Sequence, residues 1–249
     1  MIVTILGSGT GTPSLQRQAP AYLLEVAGSR WLIDCGSGTL LQLERLHKPF
    51  HTLDGVWITH THADHIGDLT PLVHAMRLPG LRRSKPFTIF GPAGFCNFFQ
   101  NIVQPVAAPP ESFPFHVREA TEACSLGEVT VRSQIVHHSD RFESRGYRFD
   151  CGGKSIVFSG DCDYDPRLLT LAKEADLLII DCSTLDANKV KGHLSAGLAG
   201  FLAAQAEAKQ LIASHLYPIE QPEEERLAEC RIHFRGPVRL AEDLLTLTV

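Results

Sequence analysis

The chain contains 249 residues, of which 44% are hydrophobic and 20% are charged. This composition is typical of an ordinary globular protein and excludes a disordered or fibrous one. The net charge of -5 gives no general attraction to nucleic acid or to an anionic membrane. Seven cysteines without a CxxC pair argue against a disulfide framework or a cysteine-rich zinc site.

Short runs with β-strand character recur along the whole chain, and helix-like segments lie between some of them. Strands are predicted over residues 2–6, 22–26, 30–33, 55–58, 87–90, 129–135, 147–149, 155–158, 177–180 and 210–213. Helices are predicted at roughly 38–47, 65–77, 92–103, 166–174, 194–207 and 221–230. Glycine-containing turns at 27–29 and 151–153 predict hairpins, so a single all-parallel sheet is excluded. Two sheets with helices outside them fit this pattern better.

The N-terminal run MIVTILGSGTG lacks a basic leader and reaches glycine early, which indicates a strand rather than a signal peptide. No apolar run approaches the roughly 20 residues that a membrane-spanning helix needs. The sequence contains no internal repeat and no low-complexity linker. We therefore predict one domain over residues 1–249, a cytoplasmic location and no membrane partner.

Residues 7–12 read GSGTGT directly after the first predicted strand. A dinucleotide fingerprint would need a helix that opens at the glycines, and a P-loop would need Gly-Lys-Ser/Thr at its end. Neither pattern is present, so a tight turn is the favoured interpretation and a phosphate cradle is the alternative.

The segment ITHTHADHIGDL at residues 58–69 places His60, His62, Asp64 and His65 within six positions, after an apolar run. Imidazoles two residues apart in extended chain project to the same side, so His60 and His62 can converge on one ion. Asp64 and His65 can turn toward a neighbouring position. A polar loop in solvent is the alternative, but packing needs seldom produce four ligand-type side chains at this spacing.

A second metal site would need ligands from other parts of the chain. Polar residues that follow predicted strands are the candidates, namely His137 and His138, Asp161, and His215. Strand ends place such side chains at a common edge. Imidazole and carboxylate ligands without thiolate suit Zn²⁺, Mn²⁺ or Fe²⁺.

The segments THTHADH, IVHHS, FSGDCD and SHLYP, in this order, resemble the successive metal-binding motifs of the metallo-β-lactamase fold hydrolases. The opening LGSGTGTPSLQRQAPAYLLEV, with LIDCGSGT and GHLSA, is similar to the narrower ribonuclease Z-like phosphodiesterase branch. The resemblance covers nearly the whole chain. It implies an α/β fold, a four-layer αββα sandwich of two mixed β-sheets with outer helices.

The resemblance also implies two divalent transition-metal ions, with zinc favoured and manganese or iron as alternatives. The implied ligands are His60, His62 and His138 for one ion, Asp64, His65 and His215 for the other, and Asp161 as a bridge. Adjacent strand residues face opposite sides, so only one of His137 and His138 is expected to bind. We favour His138, because His138-Ser139-Asp140 resembles the pattern of close relatives.

The resemblance gives three residues roles beyond simple ligation. Asp64 is expected to be catalytic as well as a ligand, and His193 in GHLSA to donate a hydrogen bond or a proton near the scissile phosphate. Asp34 in LIDCG is expected to orient a ligand histidine through its free ring nitrogen. The alternatives are a turn-capping carboxylate for Asp34 and an ordinary helix-start residue for His193. Four Asp-Cys pairs, at 34–35, 150–151, 161–162 and 181–182, are interpreted as strand residues without thiol chemistry.

Two metals about 3.5 to 4 Å apart lower the pKa of a bridging water and hold the attacked group. The favoured function is therefore a phosphodiesterase that uses a metal-bridging hydroxide on a small-molecule or short phosphodiester substrate. The alternatives are hydrolysis of a carboxyl-type bond, in a lactone, thioester or β-lactam, and ribonuclease Z-type RNA 3′ processing. GHLSA favours the phosphodiester. The short chain, its negative charge and the absence of a Gly/Pro/Lys-rich arm count against large RNA, and a homodimer is allowed.

Overall fold

The computed structural model describes residues 1–218 and 222–249, which form two seven-stranded sheets packed face to face. The strands of the first sheet are β1 (Ile2–Gly7), β2 (Ala21–Val26), β3 (Ser29–Ile33), β4 (Gly55–Trp57), β5 (Phe87–Gly91), β6 (Phe115–Glu119) and β14 (Thr246–Thr248). Those of the second are β7 (Ala123–Leu126), β8 (Val129–Val136), β9 (Ser144–Cys151), β10 (Lys154–Phe158), β11 (Leu177–Asp181), β12 (Leu211–Ser214) and β13 (Val238–Leu240).

Both sheets are mixed. In the first, β14-β1-β2-β3 pair antiparallel and β3-β4-β5-β6 pair parallel. In the second, β13-β12-β11-β10 pair parallel and β10-β9-β8-β7 pair antiparallel. The predicted hairpins are the β2–β3 and β9–β10 pairs. Parallel strands carry their carboxyl ends to one edge, which places the loops after β3, β4, β10, β11 and β12 together.

Seven α-helices flank the sheets in the described part of the chain. They are α1 (Thr39–Arg45), α2 (Ala63–Ile66), α3 (Leu69–Ala75), α4 (Phe95–Phe98), α5 (Pro166–Ala172), α6 (Ala196–Gln205) and α7 (Glu223–His233). Residue 221, where the last helix is predicted to begin, lies outside the described residues. None of the helices in residues 1–218 and 222–249 is long and apolar enough to cross a bilayer.

Three apolar layers hold these elements together. One lies between the two sheets, where Trp57 stacks on Phe90 with ring centroids 3.9 Å apart and meets Tyr147 and Phe149 edge-on. The other two lie outside the sheets, under α1, α3 and α4 on one side and under α5, α6 and α7 on the other. The Tyr147 hydroxyl also donates to the Ile58 carbonyl at 2.7 Å and so ties the second sheet to the strand that precedes the histidine cluster. The predicted four-layer sandwich is confirmed.

Several element boundaries differ from the prediction. The helix predicted at 65–77 is interrupted between α2 and α3, because Asp68 bonds to the turn before α1 and to the first turn of α1. Its amide donates to Cys35 O at 2.9 Å, and its Oδ2 accepts from Leu40 N at 2.9 Å. The helix predicted at 92–103 begins only at Phe95 and continues as a π-helix over Phe99–Val103. Strands β6, β7, β13 and β14 are additional to those predicted.

Candidate metal centre

The predicted ligands all lie where the two sheets present their strand ends. The segment after β4 and helix α2 supplies His60, His62, Asp64 and His65, whereas segments after β8, β10 and β12 supply His138, Asp161 and His215. The first group therefore comes from the first sheet and the second from the second sheet. The donor atoms of the predicted ligands form two groups, each with atoms from both sheets and each with members within 4.8 Å of one another. A third group of this kind joins Asp161 and His215 to Asp181 and His193.

The first group, called the His60 cluster here, consists of His60, His62, His138 and Asp161. Nδ1 of His62 lies 3.0 Å from Nε2 of His60 and 3.1 Å from Nε2 of His138. Asp161 Oδ2 is 3.7 Å from His60 Nε2 and 3.9 Å from His138 Nε2. Three imidazole nitrogens and a carboxylate oxygen thus converge on a space of the size of one ion.

The second group, called the His215 cluster here, consists of Asp64, His65 and His215 and adjoins Asp161. Asp64 Oδ2 lies 3.5 Å from His215 Nε2 and 3.7 Å from His65 Nε2. Asp161 Oδ2 lies 3.2 Å from each of these same two nitrogens. One carboxylate oxygen therefore reaches both clusters, which is the position expected of a bridging ligand.

The hydrogen bonding of the ring nitrogens shows whether metal ions would fit in the two clusters. Nε2 of His65 and Nε2 of His215 are buried and form no hydrogen bond with any described residue. Asp161 is near both, but not in hydrogen-bonding geometry. His138 Nδ1 donates to the Gly192 carbonyl at 2.7 Å, and because a carbonyl only accepts, His138 Nε2 turns a lone pair to its cluster. A cation in each cluster would satisfy these nitrogens, so the residues fit a metal pair.

Protonation in the metal-free protein agrees with this arrangement. Burial lowers the pKa of His60 far below its usual value, and lowers those of His62 and His138, so the neutral ligand form is favoured in the His60 cluster. Burial would also lower the pKa of His65, but Asp161 and Asp34 outweigh it and raise that pKa well above its usual value. Burial would raise the pKa of Asp161, but His215, His65 and His60 hold it well below its usual value. A metal ion would displace the proton of His65.

The histidine pair at 137–138 is separated by its register. His138 is buried and belongs to the His60 cluster, whereas His137 is exposed. The backbone of His137 is held by Asp163 and Asp165 instead, through its carbonyl and its amide. We therefore keep His138 as the predicted ligand.

Asp34 directly follows β3 and contacts the centre from behind. Its Oδ2 accepts from His65 Nδ1 at 2.7 Å, and its Oδ1 accepts from the Thr59 amide at 2.8 Å. A histidine whose Nδ1 donates to a carboxylate presents a bare Nε2 to a metal. The position of Asp34 is thus the one that the resemblance implies for it.

His193 lies beside both clusters, with its ring stacked on His215 at 5.1 Å and edge-on to His138 at 4.9 Å. Its Nδ1 is 2.8 Å from Oδ2 of Asp181, the last residue of β11. Burial would lower the pKa of His193, but the hydrogen bond and charge of Asp181 raise it to about 9. Sequence reasoning missed Asp181 as a site residue, although a carboxylate that ends the apolar run LLII carries the same signal as Asp34 and Asp161.

A cleft of about 210 Å³ opens onto the centre. His62, Asp64, His193 and His215 line it, together with Tyr217 and the turn at residues 10–12. The GSGTGT run therefore borders the site as a non-helical turn, as predicted, and no helix opens at its glycines. A substrate in this cleft would meet both clusters and His193 at once.

Comparisons with known proteins agree with this fold. The model of the family described as a β-lactamase superfamily domain matches residues 29–216. Ribonuclease BN of Cronobacter sakazakii is 29% identical over 100% of both chains, and ribonuclease Z of Brevibacillus brevis is 27% identical over 100% of this chain and 97% of that protein.

Two solved structures are similar over almost their full length. The metallo-β-lactamase fold protein YhfI from Bacillus subtilis has a TM-score of 0.85 and 24% identity, over 99% of this chain and 98% of that one. The short form of human tRNase Z has a TM-score of 0.82 and 27% identity, over 100% of this chain and 99% of that one. With the paired clusters, these likenesses confirm the predicted metal-dependent hydrolase, and the chain belongs to the β-lactamase superfamily, in its ribonuclease Z-like group.

Proposed function

We propose that this protein is a phosphodiesterase that holds two divalent transition-metal ions, and that zinc is the metal the nitrogen and oxygen donors suit best. The proposed ligands are His60, His62, Asp64, His65, His138, Asp161 and His215. The observation that carries the proposal is the His193–Asp181 pair, a proton donor held beside both clusters. Because Asp181 occupies its Nδ1, His193 has only Nε2 to offer to a substrate.

The bound metals would supply an activated water and positive charge against the phosphoryl oxygens. Asp161 fixes the two clusters relative to each other, since one oxygen faces ligands of both. Asp64 lines the cleft, and its pKa is lowered because the nearby His215 and His65 side chains outweigh the effect of burial. Its carboxylate is therefore available to accept from an attacking water. His193, whose pKa Asp181 raises to about 9 in the metal-free protein, is placed to donate to the departing oxygen.

We further propose that the substrate is a small-molecule or short phosphodiester and not a large RNA. The relatives are named ribonucleases, but the alignment with that of Cronobacter sakazakii runs over 311 residues, more than the 249 of this chain. The relative therefore has segments without a counterpart here. Near His193, Lys189 lies 2.8 Å from Asp163 and Lys191 lies 3.4 Å from Asp140, so both positive charges are partly matched. Such a surface offers little attraction to a long polyanion.

The deciding experiment is a substrate panel with the purified protein after loading with Zn²⁺ or Mn²⁺. We expect bis(p-nitrophenyl) phosphate to be hydrolysed faster than p-nitrophenyl phosphate, a lactone or a thioester. Precursor transfer RNA should be a poor substrate. Faster turnover of the lactone or thioester would establish the carboxyl-type alternative, and efficient, salt-sensitive cleavage of the transfer RNA would establish 3′ processing.

Two further points belong to this proposal. A homodimer is compatible with it, and light scattering of the metal-loaded protein at several concentrations would detect one. We also expect the protein to act in the cytoplasm, which fractionation of the source cells would test.

A further inference from the structure

Two buried hydroxyl groups contact histidines of the metal centre on the side away from the clusters, and their hydrogen-bonding partners are of the same kind. Thr59 lies between Asp34 and His60, with its Oγ1 2.9 Å from Asp34 Oδ2 and 3.0 Å from His60 Nδ1. It follows β4 in the first sheet, and its relative exposure is 0%. Each neighbour is within hydrogen-bonding distance of the same oxygen.

Ser183 repeats this arrangement after β11 in the second sheet. Its Oγ lies 2.6 Å from Asp181 Oδ1 and 3.0 Å from His215 Nδ1, and its relative exposure is also 0%. Each hydroxyl thus connects a buried carboxylate to a histidine of one cluster. Each carboxylate also bonds directly to another histidine, Asp34 to His65 and Asp181 to His193.

The direction of these hydrogen bonds follows from counting protons. A hydroxyl has one proton, and a carboxylate that is already surrounded by donors can only accept it. Asp34 accepts from the Thr59 amide and from His65, and Asp181 accepts from the Cys162 amide and faces His193. The hydroxyl proton therefore points to the carboxylate, and the hydroxyl oxygen accepts from the histidine.

This direction fixes which tautomer each histidine adopts. If Nδ1 of His60 donates to Thr59 and Nδ1 of His215 donates to Ser183, both rings turn an unprotonated Nε2 toward their clusters. For His215 that nitrogen is one of the buried atoms without a hydrogen-bond partner among the described residues. We infer that Thr59 and Ser183 are positioning residues that hold His60 and His215 in their metal-binding tautomers.

The inference rests on the proposed two-metal centre but not on the proposed substrate. Removing the hydroxyl leaves the Nδ1 proton of the histidine without an acceptor and weakens the preference for the binding tautomer. Loss of such outer contacts typically lowers metal affinity about 10- to 100-fold. Since each hydroxyl contacts one cluster, Thr59→Val should weaken metal binding in the His60 cluster and Ser183→Ala in the His215 cluster.

Zinc dissociation constants, measured by chelator competition in the wild type and the variants, test this inference. Thr59→Val and Ser183→Ala should each bind one of the two ions about 10- to 100-fold more weakly, whereas Thr59→Ser and Ser183→Thr, which keep a hydroxyl, should bind within a few-fold of the wild type. Ser144→Ala is the matched control, because Ser144 is buried and its hydroxyl forms no hydrogen bond with any described residue. It should leave both affinities unchanged.

The affected cluster can be identified with Co²⁺, whose absorption spectrum reports its ligands. His62→Ala and His215→Ala, each retaining one intact cluster, supply the two reference spectra. Wild-type protein that binds fewer than two ions would refute the proposed function. If the wild type binds two ions, and Thr59→Val and Ser183→Ala both bind them with the wild-type affinity, the inference is refuted and the proposed function is not. If one variant fails to fold in circular dichroism, the other still decides, because Thr59 and Ser183 contact different histidines.

Discussion

Asp181 holds His193 by a hydrogen bond of 2.8 Å between its Oδ2 and the ring Nδ1, and both side chains are buried. We assign neither residue as a metal ligand, so a change in this pair should affect proton donation and not metal binding. Their carboxylate and imidazole lie on β11 and on the segment before α6, so the fold of the second sheet brings them together.

Replacing His193 by alanine should therefore slow turnover without removing metal. General acid catalysis is typically worth about 10²- to 10⁴-fold, and a loss of that size is expected for a phosphodiester with a poor leaving group. With p-nitrophenolate, which departs without much protonation, the loss should be smaller. Metal content by mass spectrometry and rates on both kinds of substrate check this. A variant that loses a metal would make His193 a ligand.

Asp161→Ala should reduce occupancy of both metal sites. Its Oδ2 lies 3.2 Å from His65 and His215 and 3.7 Å from His60, so the same oxygen serves both clusters. The expected metal content under conditions that saturate the wild type is below one ion per chain. Asp140→Ala, which removes an exposed carboxylate, is the control. Loss of a single ion would assign Asp161 to one cluster only.

The adjacent histidines give a matched pair of variants. His138→Ala should lower metal binding in the His60 cluster, because its Nε2 lies 3.1 Å from His62 Nδ1. His137→Ala should leave both metals in place, because that side chain is exposed and outside the clusters. Metal titration of the two proteins side by side measures the difference. The opposite result would mean that the register at the end of β8 is shifted by one residue.

Removing the metals should lower thermal stability. Each cluster joins residues from both sheets, and a ligand that binds only the folded protein stabilises it by about 2.7 kcal/mol at 100 times its dissociation constant. Chelator-treated protein should therefore unfold at a lower temperature, and added Zn²⁺ should restore the melting temperature in a concentration-dependent way. Differential scanning calorimetry measures the effect. An unchanged melting temperature would show that no ion binds tightly to the folded state.

Gly192 should tolerate no side chain. Its φ is +87°, its carbonyl accepts from His138 Nδ1, and an added Cβ would lie 2.6 Å from the His138 carbonyl oxygen. Gly192→Ala should therefore weaken metal binding in the His60 cluster and displace the neighbouring His193. Gly153→Ala is the control, since the φ of Gly153 is +73° but nothing would lie within 4 Å of an added Cβ. Both variants should lose about 1 kcal/mol or more of stability, and only the first should lose metal affinity.

The candidate ligands could be recognised in the sequence because their positions follow a simple rule. His60, Asp161 and His215 each follow a strand at the edge where the carboxyl ends of the parallel strands meet, so pattern and topology agree. Asp181 follows the same rule, but its interpretation as part of an Asp-Cys pair without thiol chemistry gave no reason to place it in the site. Thr59 and Ser183 could not be predicted, because buried hydroxyls occur throughout proteins and only three-dimensional contacts distinguish these two.

The outer elements of the fold were predicted less well, for a different reason. Strands β6 and β7 at the sheet edges are largely exposed, so their sequences FHVRE and ACSL lack a continuous apolar pattern. Pairing with β5 and β8 makes them strands. The break between α2 and α3 likewise depends on a distant segment, because Asp68 bonds to Cys35 and Leu40.

Asp34 and His215 share a left-handed backbone, with φ values of +59° and +58°. For residues other than glycine this conformation costs about 1 kcal/mol, and glycine would adopt it freely. The backbone conformation alone therefore favours glycine at both positions. The contacts of Asp34 with His65 and of His215 with its cluster favour the residues that are present. The strained backbone at positions 34 and 215 is thus maintained for the side chains it carries, and a glycine at either position would relieve the strain only by removing a carboxylate or an imidazole from the centre.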